Sequence, residues 1–342
     1  MKKIFAILLL SSMILGLCSG TMLSVSAEKP ESVDMASLFR AEAFTSSKGT
    51  KLNYRIYIPE NYDKEKSYPL ILFLHGADQR GNDNYSQIKV GISEAFKDTS
   101  SEIYNCIVVA PQCPADDKWV NVKAWTFVDY DATTIRESES LAAVVELLAN
   151  IQTKYSVDEN RLYATGLSMG GYGTWDLLVR HPKLFAAAMP LCGGADYRQA
   201  SRVKKIPIWT FHGEADTVVP CIGTEKMVAA LREIGGNCKY TPIPDAGHAI
   251  WVDVYAREDI IPWLLSHSKS SGKTTEETVD TEEPTPEAEE TTAAAEETSA
   301  TTESSDFDLL EKLGCKSSLG SSIAIIPMLI VGAFATRKKR KL

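Results

Sequence analysis

Between Asn53 and Leu265 the chain alternates short apolar runs with stretches of helical spacing. Pro69-Leu70-Ile71-Leu72-Phe73-Leu74 is an unbroken apolar run, as expected of a strand buried on both faces. Cys106 to Ala110, Arg161 to Thr165, Phe185 to Leu191, Ile206 to Phe211 and Lys239 to Ile243 read as further strands. Asn53 to Ile58 alternates like a strand and ends at Pro59. Glu139 to Lys154 places Leu141, Val144, Val145, Leu148 and Ile151 on one helical face. Met169 to Arg180, Cys221 to Ile234 and Ile250 to Leu265 also read as helices. Strands alternating with helices imply an α/β fold with a mostly parallel sheet and helices on both faces.

In such sheets chemistry collects at the carboxyl ends of the strands. The Gly-rich and polar clusters fall there: His75-Gly76, Gly166 to Gly173, Gly193-Gly194, Gly213 to Asp216 and Asp245 to His248. Gly166-Leu167-Ser168-Met169-Gly170 follows a strand and opens a helix. A turn that sharp strains the backbone and exposes the Ser168 hydroxyl at the sheet edge. Chance supplies the five residues often; their place between strand and helix makes them specific.

A serine hydroxyl needs a base to act as a nucleophile. Of the five histidines, His248 follows the last strand in a Gly-containing loop that can carry its imidazole over Ser168. His75 and His212, each before a glycine at a strand end, read as hydrogen-bonded structural residues. His181 reads as a loop contact, and His267 as a solvated one. An acid must orient the base. Asp216 lies past the strand ending at Phe211 and gives the chain order Ser, Asp, His. Asp196 is its main rival, Glu214 would serve if the loop ran differently, and Asp245 is more plausible as a turn residue. Met169 and Ala77 are placed to supply backbone N–H groups to an oxyanion.

At these residues the sequence resembles α/β-hydrolases of the feruloyl/acetyl-xylan esterase and polyhydroxybutyrate-depolymerase-like type. The resemblance spans Leu52 to Leu265 and rests on five segments. These are Leu72 to Gly76, Ala110-Pro111-Gln112, Gly166 to Trp175, Phe211 to Pro220, and Gly247-His248. It implies the α/β-hydrolase fold and carboxylic ester hydrolysis with no metal or cofactor. It also matches Ser168, Asp216 and His248 to the family's triad, and Ala77 and Met169 to its oxyanion donors. Gln112, Trp125 and Trp175 are candidate substrate-binding residues. The segment from Lys118 to Arg136 is long and aromatic, so it is expected either to wall the pocket or to pack as a surface loop.

The ends do not read as globular. Lys2-Lys3, the apolar stretch Ile4 to Leu17 and the closing Val25-Ser26-Ala27 have the layout of a secretory signal peptide, residues 1–27. A retained anchor or lipidation at Cys18 are the rival readings. Residues 28–269 form the expected catalytic domain. Residues 270–306, rich in Thr, Glu, Ser, Ala and Pro, read as an extended stalk. Residues 307–342 hold roughly 18 mostly apolar positions and then Arg337-Lys338-Lys339-Arg340-Lys341, a membrane-anchor or sorting segment with a basic tail. Gly314-Cys315 ahead of the span resembles a processing site in surface-sorting signals of anaerobic bacteria. The net charge of −9 comes largely from the stalk, and no basic patch with interleaved aromatics suggests nucleic acid. The domain keeps five of the seven cysteines, with no metal-type spacing and no readable pairing.

The expectation is an extracellular serine carboxylesterase tethered to the membrane, acting on an ester substrate such as a plant cell-wall polysaccharide. One alternative is a serine peptidase on the same fold. Another is a carbohydrate-binding protein on an inactive scaffold, using Trp119, Trp125, Trp175, Trp209 and Trp251.

Overall fold

The computed structural model describes residues 33–126 and 130–269. The expected signal peptide, stalk and anchor lie outside the described residues, as does Phe127 of the aromatic loop. No helix among the described residues is long and apolar enough to cross a membrane.

The apolar runs become one eight-stranded sheet: β1 (Arg40–Thr45), β2 (Lys51–Tyr57), β3 (Tyr68–Leu74), β4 (Ile107–Gln112), β5 (Val157–Leu167), β6 (Ala187–Leu191), β7 (Ile208–Gly213) and β8 (Cys238–Ile243). Their order is β1-β2-β4-β3-β5-β6-β7-β8. Strands β3 to β8 run parallel, and β1 and β2 form an antiparallel edge. The helices are α1 (Met35–Leu38), α2 (Ile92–Ala95), α3 (Glu139–Lys154), α4 (Met169–Arg180), α5 (Ala200–Val203), α6 (Ile222–Glu233), α7 (Trp251–Tyr255) and α8 (Ile260–Leu265). This is the α/β-hydrolase fold.

The continuous apolar run of β3 has a direct cause. Leu70, Leu72 and Leu74 enter one core with Leu141, Val144, Leu148, Leu177 and Met227 of α3, α4 and α6. Ile71 and Phe73 enter a second core with Ile92, Val254, Tyr255, Ile260 and Leu264 of α2, α7 and α8. Successive side chains point to opposite faces, and both faces are covered, so neither set can be polar.

Two expectations change. Strand β1 has no apolar run to announce it; its pattern is mostly exposed, as an edge strand allows. The segment from Ile250 to Leu265 is two helices, not one. Pro262 cannot donate within a continuous helix and sits in the first turn of α8, where no intrahelical donor is needed.

Candidate active site

Strand β5 runs to Leu167, and α4 begins at Met169, so Ser168 alone makes the turn. Its backbone sits at φ 55° and ψ −119°, a left-handed region that costs a non-glycine residue about 1–3 kcal/mol. The neighbours hold it there. Ser168 N–H donates to Leu191 O at 2.9 Å, and Ser168 O accepts from Tyr172 N–H at 3.0 Å. The flanking glycines are required by close backbone approach: a Cβ on Gly170 would lie 1.9 Å from Leu74 O, and one on Gly166 would lie 2.5 Å from Gly170 O.

The loop after β8 brings His248 to this hydroxyl. Ser168 Oγ and His248 Nε2 are 2.7 Å apart, and His248 Nδ1 and Asp216 Oδ2 are 2.6 Å apart. The imidazole ring stands edge-on to Trp251, with centroids 5.3 Å apart. The Asp216 side chain has no exposed surface. Its Oδ1 accepts from the N–H groups of Val218 and Val219, both at 2.9 Å. Burial pushes the Asp216 carboxyl up. Hydrogen bonds from His212, His248 and Val219 outweigh it and hold the group below the usual carboxylate range. The carboxylate is therefore ionised and aimed at His248, as an orienting acid must be.

Met169 is the first residue of α4, and Ala77 opens the turn Ala77–Gln79 after β3. An N–H at the start of a helical turn has no acceptor within that turn. The Ala77 turn lies beside the serine: a Cβ on Gly76 would fall 3.6 Å from Ser168 Cβ. His75 braces it. His75 Nδ1–H donates to Gly76 O at 2.6 Å, Cys113 N–H donates to Nε2 at 2.9 Å, and Trp119 Nε1–H donates to His75 O at 3.0 Å. Burial pushes the His75 imidazole down to about 4, so it is neutral.

The rival acids are accounted for. Asp196 is buried and holds the aromatic loop, accepting from Ala132 N–H at 2.9 Å and Arg198 Nε–H at 2.9 Å. Glu214 and Asp245 are exposed. His181 pairs with Glu137, and His267 with Trp263 O. His212 reads in the sequence as a structural histidine, and it is hydrogen-bonded. It also touches Asp216 Oδ2, at 3.2 Å. No spacing rule announces that contact, because His212 lies at the end of β7 and Asp216 in the turn beyond it.

The expected substrate contacts divide. Trp175 is fully buried in the core beneath α4 and offers no surface to a substrate, which corrects that expectation. Gln112 is corrected for the same reason. It is buried, and it organises the loop between β3 and β4 through Asn84 N, Gln79 O and Asp83 Oδ1. Trp125 is partly exposed. Its carbonyl accepts from Tyr172 Oη at 2.7 Å, and its ring lies 5.6 Å from the Tyr172 ring, one turn along α4 from Ser168. Of the tryptophans considered for a sugar surface, Trp119, Trp175 and Trp209 are core residues. Val218, two residues past Asp216, is 47% exposed.

Cys192, Asp216 and His248 bring three potential ligand atoms within 4.8 Å of one another. A cation there would have to break the Asp216–His248 bond. It would also have to deprotonate a thiol that burial pushes well above its ordinary value. The donor set fits a hydrogen-bonded triad better than a metal centre. Cys106, Cys113, Cys192 and Cys238 are free thiols.

A parallel sheet with a strained serine between strand and helix, a histidine on it and an acid behind it defines the α/β-hydrolase class. The chain belongs to the Esterase family, whose model, described as "Putative esterase", matches residues 45–297. It is 26% identical over 177 residues to the bifunctional acetylxylan esterase/xylanase XynS20E of Neocallimastix patriciarum. That match covers 52% of this chain and only 23% of the relative. It is 28% identical over 220 residues to the carboxylesterase SOBER1 of Arabidopsis thaliana, covering 60% of this chain and 92% of that one. Among solved structures, a thermostable esterase matches with a TM-score of 0.63 and 38% identity, over 68% of this chain and 64% of the other.

Proposed function

We propose that this chain is a serine carboxylesterase working through an acyl-enzyme on Ser168. The observation that carries the reading is the relay Ser168 Oγ–His248 Nε2–Asp216 Oδ2, at 2.7 and 2.6 Å, on a serine held in a strained turn. His248 takes the hydroxyl proton as Ser168 Oγ attacks the ester carbonyl, and Asp216 stabilises the imidazolium that forms. The N–H groups of Met169 and Ala77 receive the oxyanion. His248 then protonates the leaving alcohol. Water, deprotonated by the same imidazole, releases the acid.

For the substrate, we propose acetyl or feruloyl esters of plant cell-wall polysaccharide. The acetylxylan-esterase relative and the part-exposed Trp125 support that class. The signal-like start, the stalk composition and the basic C-terminal end support an extracellular, membrane-tethered enzyme. Protease treatment of intact cells tests the location.

The activity is tested by turnover of p-nitrophenyl acetate, acetylated xylan and feruloylated arabinoxylan by the wild type and Ser168→Ala. The proposal expects release of acetate or ferulate by the wild type and none by the variant. Equal turnover by both would overturn the serine mechanism. Peptide cleavage without ester cleavage would favour a peptidase, and binding without turnover an inactive scaffold.

A further inference from the structure

The hydrogen bonds around His212 can be counted proton by proton. The side chain is fully buried at the end of β7. Its Nε2 lies 2.9 Å from Val219 O and 3.2 Å from Asp216 Oδ2. A carbonyl and an ionised carboxylate only accept, so Nε2 carries a proton. Its Nδ1 lies 2.9 Å from Thr224 Oγ1 on α6. Thr224 has one hydroxyl proton and already donates it to Gly193 O, at 2.7 Å. That oxygen must therefore accept from Nδ1, and Nδ1 carries a proton too.

A neutral imidazole would leave one proton to serve both the Nδ1–Oγ1 and the Oγ1–Gly193 O contacts. One of them would become a lone-pair clash inside the core. An imidazolium satisfies every contact and finds its counter-ion in Asp216, as a buried charge requires.

We propose that His212 is a positioning residue, with a proton on each ring nitrogen, that shares Asp216 with His248; the inference rests on the serine-esterase reading of this site. Asp216 then receives four donors: Val218 and Val219 N–H on Oδ1, and the two histidines on Oδ2. The carboxylate is locked in the plane that faces His248. Its charge is partly neutralised before the reaction begins, so His248 faces a weakened anion. A base that is protonated in the resting state cannot activate Ser168, and the second histidine keeps His248 free for that step.

Among the described residues, the Cys192 thiol after β6 and the Tyr172 phenol of α4 also feel Asp216. Glu225 follows Thr224 on α6 and is buried.

Two measurements on the full-length protein test this. In 15N-histidine NMR of the wild type at pH 7.5, His212 should show both ring nitrogens protonated, while His248 shows one. Single substitutions of the other four histidines, His75, His181, His248 and His267, to Gln assign their signals and leave His212 by difference. A single protonated nitrogen on His212 would overturn the proposal, whether or not His212→Gln folds.

The second is the pH profile of kcat/KM, whose acid limb reports the free-enzyme base. Removing a cation beside Asp216 in His212→Gln should move that limb up by about one pH unit. A merely structural His212 would lower kcat/KM at every pH and leave the limb in place, which would also overturn the proposal. Fluorophosphonate labelling of Ser168 in the same samples separates failure of this inference from failure of the nucleophile assignment.

Discussion

Ser168 combines a strained backbone with a hydroxyl that nothing else in the fold needs. Ser168→Gly should relieve the strain, since glycine adopts φ 55° freely. We expect that variant to be inactive and yet more stable by about 1 kcal/mol after the entropy cost of glycine. Thermal unfolding checks this, and a fall in stability would show that the turn is not strained. Asp216→Asn should lower kcat by roughly 10³–10⁴-fold, because the amide misorients His248. It should also flatten acid unfolding. Asp216 titrates lower folded than unfolded, so its stabilisation is full above the ordinary carboxylate value, 3.8, and is lost as pH falls below it. That Ser168, Asp216 and His248 meet was legible because each sits at a strand end in a local pattern. Trp175 and Gln112 misled because a motif shows which residues are near the serine, not which way they face. One residue type, tryptophan, serves both core and surface, and only burial separates the two uses.

At the scale of elements, His75 ties the end of β3 to the end of β4 by holding Cys113 N–H. Its imidazole falls from the ordinary 6.5 to about 4, so the native state binds fewer protons than the unfolded chain between those values. Its stabilisation is full above about pH 6.5, and roughly 3 kcal/mol is lost as pH drops toward 4. Urea midpoints from pH 4 to 7 should show that slope, and His75→Gln should be less stable at pH 7 but flatter. The loop from Lys118 to Arg136 is held by three further contacts: Asp196 on Ala132 N, Arg198 on Tyr130 O and Arg180 on Ile135 O. Asp196→Ala should cost about 1–3 kcal/mol and raise KM more than it lowers kcat, if the loop walls the pocket. A pure kcat loss would return Asp196 to the chemistry. The central strands and the helices α3, α4 and α6 were legible from periodicity. Strand β1 was not, because an edge strand with little burial leaves no apolar pattern. The break before α8 was passed over because the apolar residues of α7 and α8 face the same core.

For the whole molecule, a sheet with a core on each face carries the loops that form the site, and the Esterase family match covers residues 45–297. The fold was legible because the parallel strands β3 to β7, buried on both faces over most of their length, leave little choice of sequence. The acyl group is a finer matter: we propose that Trp125 helps to set it, and no sequence pattern encodes its partial exposure. The central claim is that Ser168 forms the acyl-enzyme. Its most direct test is mass spectrometry of the protein after reaction with a fluorophosphonate, with peptide mapping of the adduct. The account predicts one adduct per chain, on the peptide containing Ser168, and none in Ser168→Ala or His248→Ala. An adduct elsewhere, or none in a sample that still hydrolyses p-nitrophenyl acetate, would contradict it.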